Sequence, residues 1–453
     1  MSLDIGCHDT ICALSSAQGP AALALVRASG PRALEIFQQI FKPKGLFKAF
    51  KAMHGLLQDQ HGRPLDDCVA IFYEHGRSFT GETSFEIHCH GNMIIVDEIL
   101  QALCALGARL AEPGEFSMRA LLNNKIDLAQ AESIADLIHA QSSAAKNVAL
   151  QGVQGGLGAR CLPIRENIIT LLAEIEARMD FPDEELGGYD RNNLINLMNN
   201  SLEKLEQLLA QAAYGIKLHE GVRMVICGSP NAGKSTLLNR LVGHERAIVH
   251  HQAGTTRDVI EVQINLHGVP LTIIDVAGIR DLQQADAVEQ IGIERAFEEL
   301  TQAHVVLWLA DCNLEHPFAD KIIGEKLAHV HAPVIRVLNK TENYAGSPPA
   351  DTFMISAKLG LGLSDLLAHL HTILVGSKAP GEELFITRAR QRDELMQARA
   401  NFIEAKRLLE EQWADEVVTS ELRAAGLAFD RLFGSELSED VLDAIFSQFC
   451  IGK

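Results

Sequence analysis

The sequence predicts a multidomain chain of mixed α/β and α class. Three observations carry that expectation. The chain has 453 residues, enough for two to four domains. Between 218 and about 380, short apolar runs alternate with helical stretches, the pattern of a mostly parallel sheet wrapped by helices. On either side, 126–217 and everything after about 383 read as long helices, the second stretch without a proline. Two helical stretches flanking an α/β unit predict one helical domain with another inserted into it; two separate helical domains are the alternative.

Residues 1–125 mix short strands with Gly/Pro punctuation. "AALALVRASGP" reads as a buried strand ending at Arg27, then a turn. "TGETSFEIHCHG" alternates with period two, placing Glu82, Ser84, Glu86, His88 and His90 on one face and Phe85, Ile87 and Cys89 on the other. This predicts one wall of an α/β domain. Further on, Leu171, Leu172, Ile175 and Met179 give one amphipathic helix stripe, and Leu202, Leu205, Leu208, Leu209 and Ala212 give another.

Aromatic residues make up only 5%, which fits Ala/Leu-rich helical packing better than a β-sandwich. No apolar run approaches the ~20 residues that a membrane helix needs. The start, "MSLDIGCHDTICAL", lacks a basic n-region, so no secretory signal is expected. Nine scattered cysteines without a C-x-x-C pair argue for a reducing cytoplasm and against a disulfide frame or a zinc site. A net charge of −19 repels nucleic acid over most of the surface. An RNA substrate would need a local basic patch or a partner.

The chemistry is carried by "GSPNAGKST" at 228–236, which matches G-x-x-x-x-G-K-[ST]. It follows an apolar strand and opens a helix, the context in which backbone N–H groups and a helix N-terminus cradle phosphates. Asn231, Ala232, Gly233, Lys234, Ser235 and Thr236 are its binding residues. Lys234 is expected at the β and γ phosphates and the Ser235 hydroxyl on Mg²⁺. "DVAG" (Asp275, Val276, Ala277, Gly278) closes an apolar strand and places Asp275 beside the metal. "NKTE" (Asn339, Lys340, Thr341, Glu342) and "SAK" (Ser356, Ala357, Lys358) close later strands. In that order they predict a guanine-nucleotide domain. Glu342 stands where such domains usually carry Asp, one methylene further out. "AGTTRD" supplies Thr256 as the switch threonine for Mg²⁺. Ile279 occupies the place of the water-orienting glutamine of Ras-like enzymes. The residue that orients water must then come from elsewhere, with Asp281, Asp286, Glu289 and Glu294 as candidates.

With these residues in view, the chain resembles the MnmE (TrmE) family of tRNA modification GTPases. The resemblance runs through "LVRASGP", "SFTGE", "EIHCHG", "EPGEFSMRALLNNKIDLAQAESIADLI", "DFPDEE", "AGTTRD", "VEQIGIER" and the terminal "FCIGK". It implies an N-terminal α/β tetrahydrofolate-binding and dimerisation domain (1–125), an all-α helical domain (126–217 and 381–453), and an inserted Ras-like P-loop G domain (218–380). It implies a homodimer in the cytoplasm, not on a membrane. It implies a partner flavoprotein, MnmG (GidA), carrying FAD. With tRNA as substrate, the pair attaches a carboxymethylaminomethyl-type group to C5 of the wobble uridine.

The resemblance also assigns residues. Arg27, Glu86, Lys125 and Lys453 would bind a tetrahydrofolate derivative, a 5-formyl or methylene form, as one-carbon donor. Arg and Lys suit its carboxylates and Glu suits the paired donors of its pterin. The C-terminus would fold back onto that site, on the partner subunit's side of the dimer interface. Cys450 would be a catalytic thiol or a packing residue. His88 and His90 would help shape the pocket. Glu289 would position the attacking water. Asn231, His250, Gln252 and Thr255 would hold K⁺, which takes the place of an arginine finger between paired G domains. His251, Ala253 and Gly254 complete the nucleotide-contacting loop. "VHHQAGTT" departs in three residues from the family's T-D-I-A-G-T-T run, and Val276 replaces a threonine. A different reading, a GTP-switched scaffold such as a ribosome-assembly factor, leaves the N-terminal 125 residues and the "FCIGK" end without a use. A membrane-anchored signalling GTPase lacks an anchor, since the last four residues do not fit C-a-a-X.

Overall fold

The computed structural model describes residues 9–180, 191–244, 259–266, 268–276, 299–344, 346, 349–375 and 385–452. The chain forms two compact units: 1–135 with 152–202 and 394–453, and 136–151 with 203–393.

The first unit is built on a seven-stranded sheet of β1 (Thr10–Leu14), β2 (Ala21–Ser29), β3 (Phe41–Pro43), β4 (Met53–Gln58), β5 (Pro64–Tyr73), β6 (Ser84–Gly91) and β7 (Ala108–Leu110). The order is β3-β4-β5-β6-β2-β1-β7. All pairs are antiparallel except β1 with β7. The alternation expected in "SFEIHCHG" holds: Phe85, Ile87 and Cys89 are fully buried. They pack with Val26, Ala28, Phe37 and Ile99 under the helices Ala33–Ile40 and Met93–Ala105. Two expectations need correction. β2 continues two residues past Arg27 to Ser29, so Arg27 lies inside the strand opposite Glu86. Glu82 precedes β6 and is buried, accepting from Ser29 Oγ at 2.6 Å and from Arg119 at 3.3 Å, so it does not share the Glu86 face.

The helical part of this unit pairs Gly156–Asp180 with Asp415–Phe433, bridged by Arg165–Asp430 and Arg423–Glu176 at 2.8 Å each. Leu171 and Ile175 are buried as expected, whereas Met179 is exposed. The helix Arg191–Leu209 buries Leu194, Met198 and Leu205. It ends before Ala212, which opens the next helix, Ala212–Glu220. The expected five-residue stripe is therefore broken at the turn. Phe446 and Phe449, three apart in the terminal "FSQFCIGK", would share one face of a helix running to Cys450, but the helix Glu439–Phe446 stops earlier. Phe449 follows it in a turn and stacks on Phe446 at 5.0 Å, both buried against Leu121, Leu128 and Leu442.

The second unit carries a six-stranded sheet of β8 (Val222–Gly228), β9 (Val259–Leu266), β10 (Val269–Val276), β11 (Val305–Asp311), β12 (Val334–Asn339) and β13 (Thr352–Met354), in the order β13-β12-β11-β8-β10-β9. Every pair is parallel except the β9–β10 hairpin at the edge. Its strands are apolar throughout because both faces are covered. Met224 and Ile226 join one core, Val225 and Cys227 the other.

Candidate functional site

In an open parallel sheet, ligands sit beyond the C-terminal ends of the strands. The motif residues converge there. The loop after β8 runs into the helix Lys234–His244. Two of its positions tolerate only glycine. A Cβ on Gly228 would lie 2.1 Å from the Leu309 carbonyl oxygen, and one on Gly233 would lie 2.3 Å from Asn339 Nδ2. Asn231 holds a left-handed φ of 62° in the same loop. Lys234 Nζ arches over the loop, donating to the Gly228 and Ser229 carbonyls at 2.9 and 3.3 Å. Ala232 is buried, and Thr236 is exposed on the first turn of the helix.

Ser235 Oγ donates to Asp275 Oδ2 over 3.3 Å. Asp275 is almost wholly buried, and burial raises its pKa against the opposing pull of Lys234. Its second oxygen, Oδ1, is buried without a hydrogen-bond partner. A buried carboxylate oxygen left unpaired beside a hydroxyl is costly unless a cation or water meets it. The pair therefore fits a hard divalent cation with oxygen ligands.

The segments 339–342 and 356–358 are held by side-chain bridges. Asn339 Nδ2 donates to the Ala232 carbonyl at 2.8 Å, and its Oδ1 accepts from the Ala357 N–H at 2.9 Å. One buried amide thus ties the phosphate loop to the "SAK" loop. Ser356 Oγ donates to Glu342 Oε1 at 2.6 Å and holds its carboxyl below the usual glutamate range. Lys340 adopts φ 66° and pairs with Asp311 at 2.6 Å. Thr341 Oγ1 donates to the Ile355 carbonyl at 2.9 Å. The Lys358 carbonyl accepts from Arg240. Ser356 lies just past the end of β13, not within it. Asp311 and Arg240 were not singled out from sequence. Asp311 closes β11, the same strand-end position that marks Asp275 and Asn339.

His250, His251, Gln252, Ala253, Gly254, Thr255, Thr256, Ala277, Gly278, Glu289 and Lys453 lie outside the described residues, as does the side chain of Val276.

In the first unit, Arg27 and Glu86 meet at one pocket of about 170 Å³, lined also by Ser29, Tyr73, Arg77, Phe79 and Phe116. Arg27 Nη2 donates to Glu86 Oε1 at 3.3 Å, and its guanidinium lies 5.5 Å over the Phe116 ring. Burial lowers the Arg27 pKa, offset by Glu86, and Arg27 Nε is buried without a partner. The pocket thus holds a carboxylate acceptor and an unspent donor side by side. Lys125 reaches the loop 76–81 that forms the rim, donating to the Gly76 carbonyl at 2.9 Å. His90 pairs with Asp66 at 2.7 Å, away from these lining residues, and His88 is not among them either. Among the described residues no cluster of His, Cys, Asp and Glu could hold a metal. Tyr73 and Phe116 went unnoticed in the sequence. The alternation through "CVAIFY" is the signal that places Tyr73 on the Glu86 face.

The C-terminal tail docks on the N-terminal sheet of its own chain. Ile451 bridges Pro113, Ser15 Oγ donates to the Gly452 carbonyl at 3.0 Å, and the Gly114 N–H approaches the Cys450 carbonyl at 3.4 Å. Cys450 is exposed. Leu14, against which Gly452 packs, is adjacent to Ala13, the β1 partner of Arg27. No helix among the described residues is long and apolar enough to cross a membrane.

Comparison with known proteins gives end-to-end likeness. The family model "MnmE helical domain" matches residues 128–450, and "GTP-binding protein TrmE N-terminus" matches residues 10–125. The tRNA modification GTPase MnmE of Marinobacter nauticus (strain ATCC 700491 / DSM 11845 / VT8) is 40% identical over 461 residues, covering 98% of this chain and 99% of that protein. That of Hydrogenovibrio crunogenus (strain DSM 25203 / XCL-2) is 40% identical over 461 residues, covering 100% of both.

Proposed function

The chain belongs to the MnmE family of tRNA modification GTPases, and we propose that it hydrolyses GTP to drive a folate-dependent step of wobble-uridine modification. It is a GTPase of tRNA modification; the donor, the partner and the ion are the finer part of the proposal. One observation carries the reading. The phosphate loop, Asp275, the Asn339–Glu342 segment and Ser356 converge beyond the C-terminal strand ends of one sheet, in a chain matched along its whole length.

GTP binds with its phosphates on the N–H groups of 231–236 and on Lys234, and its base against Asn339 and Glu342. Ser235 and Thr256 would hold Mg²⁺, with Asp275 beside the site; the ion would supply charge neutralisation at the phosphates. Glu289 orients the attacking water in place of the glutamine that Ile279 lacks. Asn231, His250, Gln252 and Thr255 would hold K⁺, which would supply the charge neutralisation of an arginine finger, with His251, Ala253 and Gly254 in the same nucleotide-contacting loop. Val276, Ala277 and Gly278 respond to the γ-phosphate as a switch.

In the N-terminal domain, Arg27, Glu86, Lys125 and the tail's Lys453 take a tetrahydrofolate derivative. The cations suit its glutamate carboxylates and Glu86 suits the pterin donors. Cys450 stands with the tail as the candidate thiol. The chain acts as a homodimer with the FAD-carrying partner MnmG, which also helps bring tRNA to an acidic protein. The domains divide as 1–125, 126–217 with 381–453, and 218–380.

The test is reconstitution. The full chain, its flavoprotein partner, GTP, a 5-formyl- or methylene-tetrahydrofolate donor and undermodified tRNA are combined, and the wobble nucleoside is weighed by mass spectrometry. Formation of the C5 adduct that vanishes in Lys234→Ala supports the reading. Hydrolysis of GTP with no adduct under any donor would overturn the modification role.

A further inference from the structure

Tyr73 reaches Glu86 from the side opposite Arg27. β6 sets Glu86 across from Arg27 on β2 and from Ile71 on β5. Tyr73, two residues beyond Ile71, is the diagonal neighbour, within reach of a long aromatic side chain. Its Oη donates to Glu86 Oε2 over 3.1 Å, while Arg27 serves Oε1. The phenol ring is braced in turn. It meets the Phe50 ring edge-on at 6.0 Å, and Phe50 carries the Arg77 guanidinium 4.0 Å over its face. Burial and the neighbouring carboxylate push the phenol pKa up, so the hydroxyl stays a donor across the physiological range.

A carboxylate held at one oxygen swings freely, because its terminal torsion is broad. Held at both oxygens by groups from two different strands, its plane is fixed. An ionised carboxylate offers about four acceptor sites. Arg27 and Tyr73 take one on each oxygen, which leaves one on each for a ligand. Two free acceptors in a fixed plane match the paired N–H donors on the edge of a 2-aminopyrimidinone ring, such as a pterin.

We propose that Tyr73 is a positioning residue, fixing the plane of the Glu86 carboxylate for the donor edge of a pterin ring. This rests on the folate reading of the pocket. The hydroxyl acts only through Glu86 and touches no reacting atom.

The test is Tyr73→Phe in the full-length chain, which removes one oxygen and keeps the ring against Phe50. Binding is titrated calorimetrically with 5-formyltetrahydrofolate and with its analogue carrying methyl in place of the 2-amino group, and thermal melting checks the fold. The expected result is a roughly tenfold weaker Kd for 5-formyltetrahydrofolate, with little change for the methyl analogue and an unchanged melting temperature. Equal weakening for both ligands would show a packing role and overturn the proposal. Unchanged affinity for 5-formyltetrahydrofolate in Tyr73→Phe would overturn it while leaving the folate reading intact. A wild-type chain that binds neither ligand would overturn the folate reading, and this role with it.

Discussion

Ser356 Oγ donates to Glu342 Oε1 over 2.6 Å, so the carboxylate that stands in place of the usual Asp is held from the neighbouring loop. The extra methylene of Glu is taken up by a fixed partner. Guanine selection should therefore survive the substitution. Glu342→Gln places an amide N–H against the guanine donors and should weaken GTP binding at least tenfold without altering the fold. Competition binding of GTP against xanthosine triphosphate reads this directly; unchanged GTP preference would remove Glu342 from base recognition.

The same pair sets a pH dependence. The Ser356 bond lowers the Glu342 pKa, so the ionised form persists below the ordinary glutamate value of about 4.3. GTP affinity should then stay level as pH falls from 8 to 5.5. In Ser356→Ala the carboxyl loses that support, and affinity should begin to fall at a higher pH than in the wild type. Superimposable pH profiles for the two proteins would count against the coupling.

Asn339→Ala leaves the Ala232 carbonyl and the Ala357 N–H without their partner in a buried place. Each unsatisfied group costs about 1–3 kcal/mol. The variant should lose both thermal stability and nucleotide affinity, whereas Lys234→Ala should lose affinity alone. Differential scanning fluorimetry with and without GDP separates the two outcomes.

In the N-terminal domain, Arg119 is buried and pairs with Asp9 at 2.6 Å, Glu115 at 2.9 Å and Glu82 at 3.3 Å. Arg119→Met takes the cationic partner from buried Glu82, leaves Asp9 and Glu115 on Arg109 alone, and should cost about 3–5 kcal/mol. The network also shapes acid stability. Burial raises the Asp9 and Glu115 carboxyls, but Arg109 and Arg119 bring both to net values below their ordinary ones. Their contribution is complete above the unfolded pKa and is lost as pH falls through the depressed folded values. Wild-type melting temperature should drop steeply only in that acid range, and Arg119→Met should flatten the drop.

Gly452 holds φ 86°, and a Cβ there would sit 2.4 Å from the Leu14 carbonyl oxygen. Gly452→Val should release the tail from the N-terminal sheet. GTP hydrolysis and melting temperature should hold near wild type while 5-formyltetrahydrofolate binding weakens. Intact folate binding would separate the tail from that site.

Much of this was legible in the sequence because the signals are local. A phosphate loop needs its glycines at fixed spacing, and strands buried on both faces read as unbroken apolar runs ending at Asp275, Asn339 and Asp311. The period-two pattern placed Glu86 and Phe85 on opposite faces correctly. What escaped depends on long-range pairing. Arg27 lies within β2 because β6 continues beside it. Glu82 is drawn inward by Arg119, thirty-seven positions away. Phe449 leaves the helix because Gly114 and Pro113 capture the tail. Tyr73 joins the pocket only through strand register.

GTP hydrolysis by the purified full chain in K⁺ against Na⁺ at equal ionic strength, with Lys234→Ala as control, bears most directly on the central claim. Hydrolysis that is strongly stimulated by K⁺ and abolished in Lys234→Ala is the predicted result. It would also show that the ion is still held despite the His250-His251-Gln252 departure. Equal rates in the two salts would contradict the ion-assisted mechanism, and hydrolysis surviving in Lys234→Ala would contradict the assignment of the site itself.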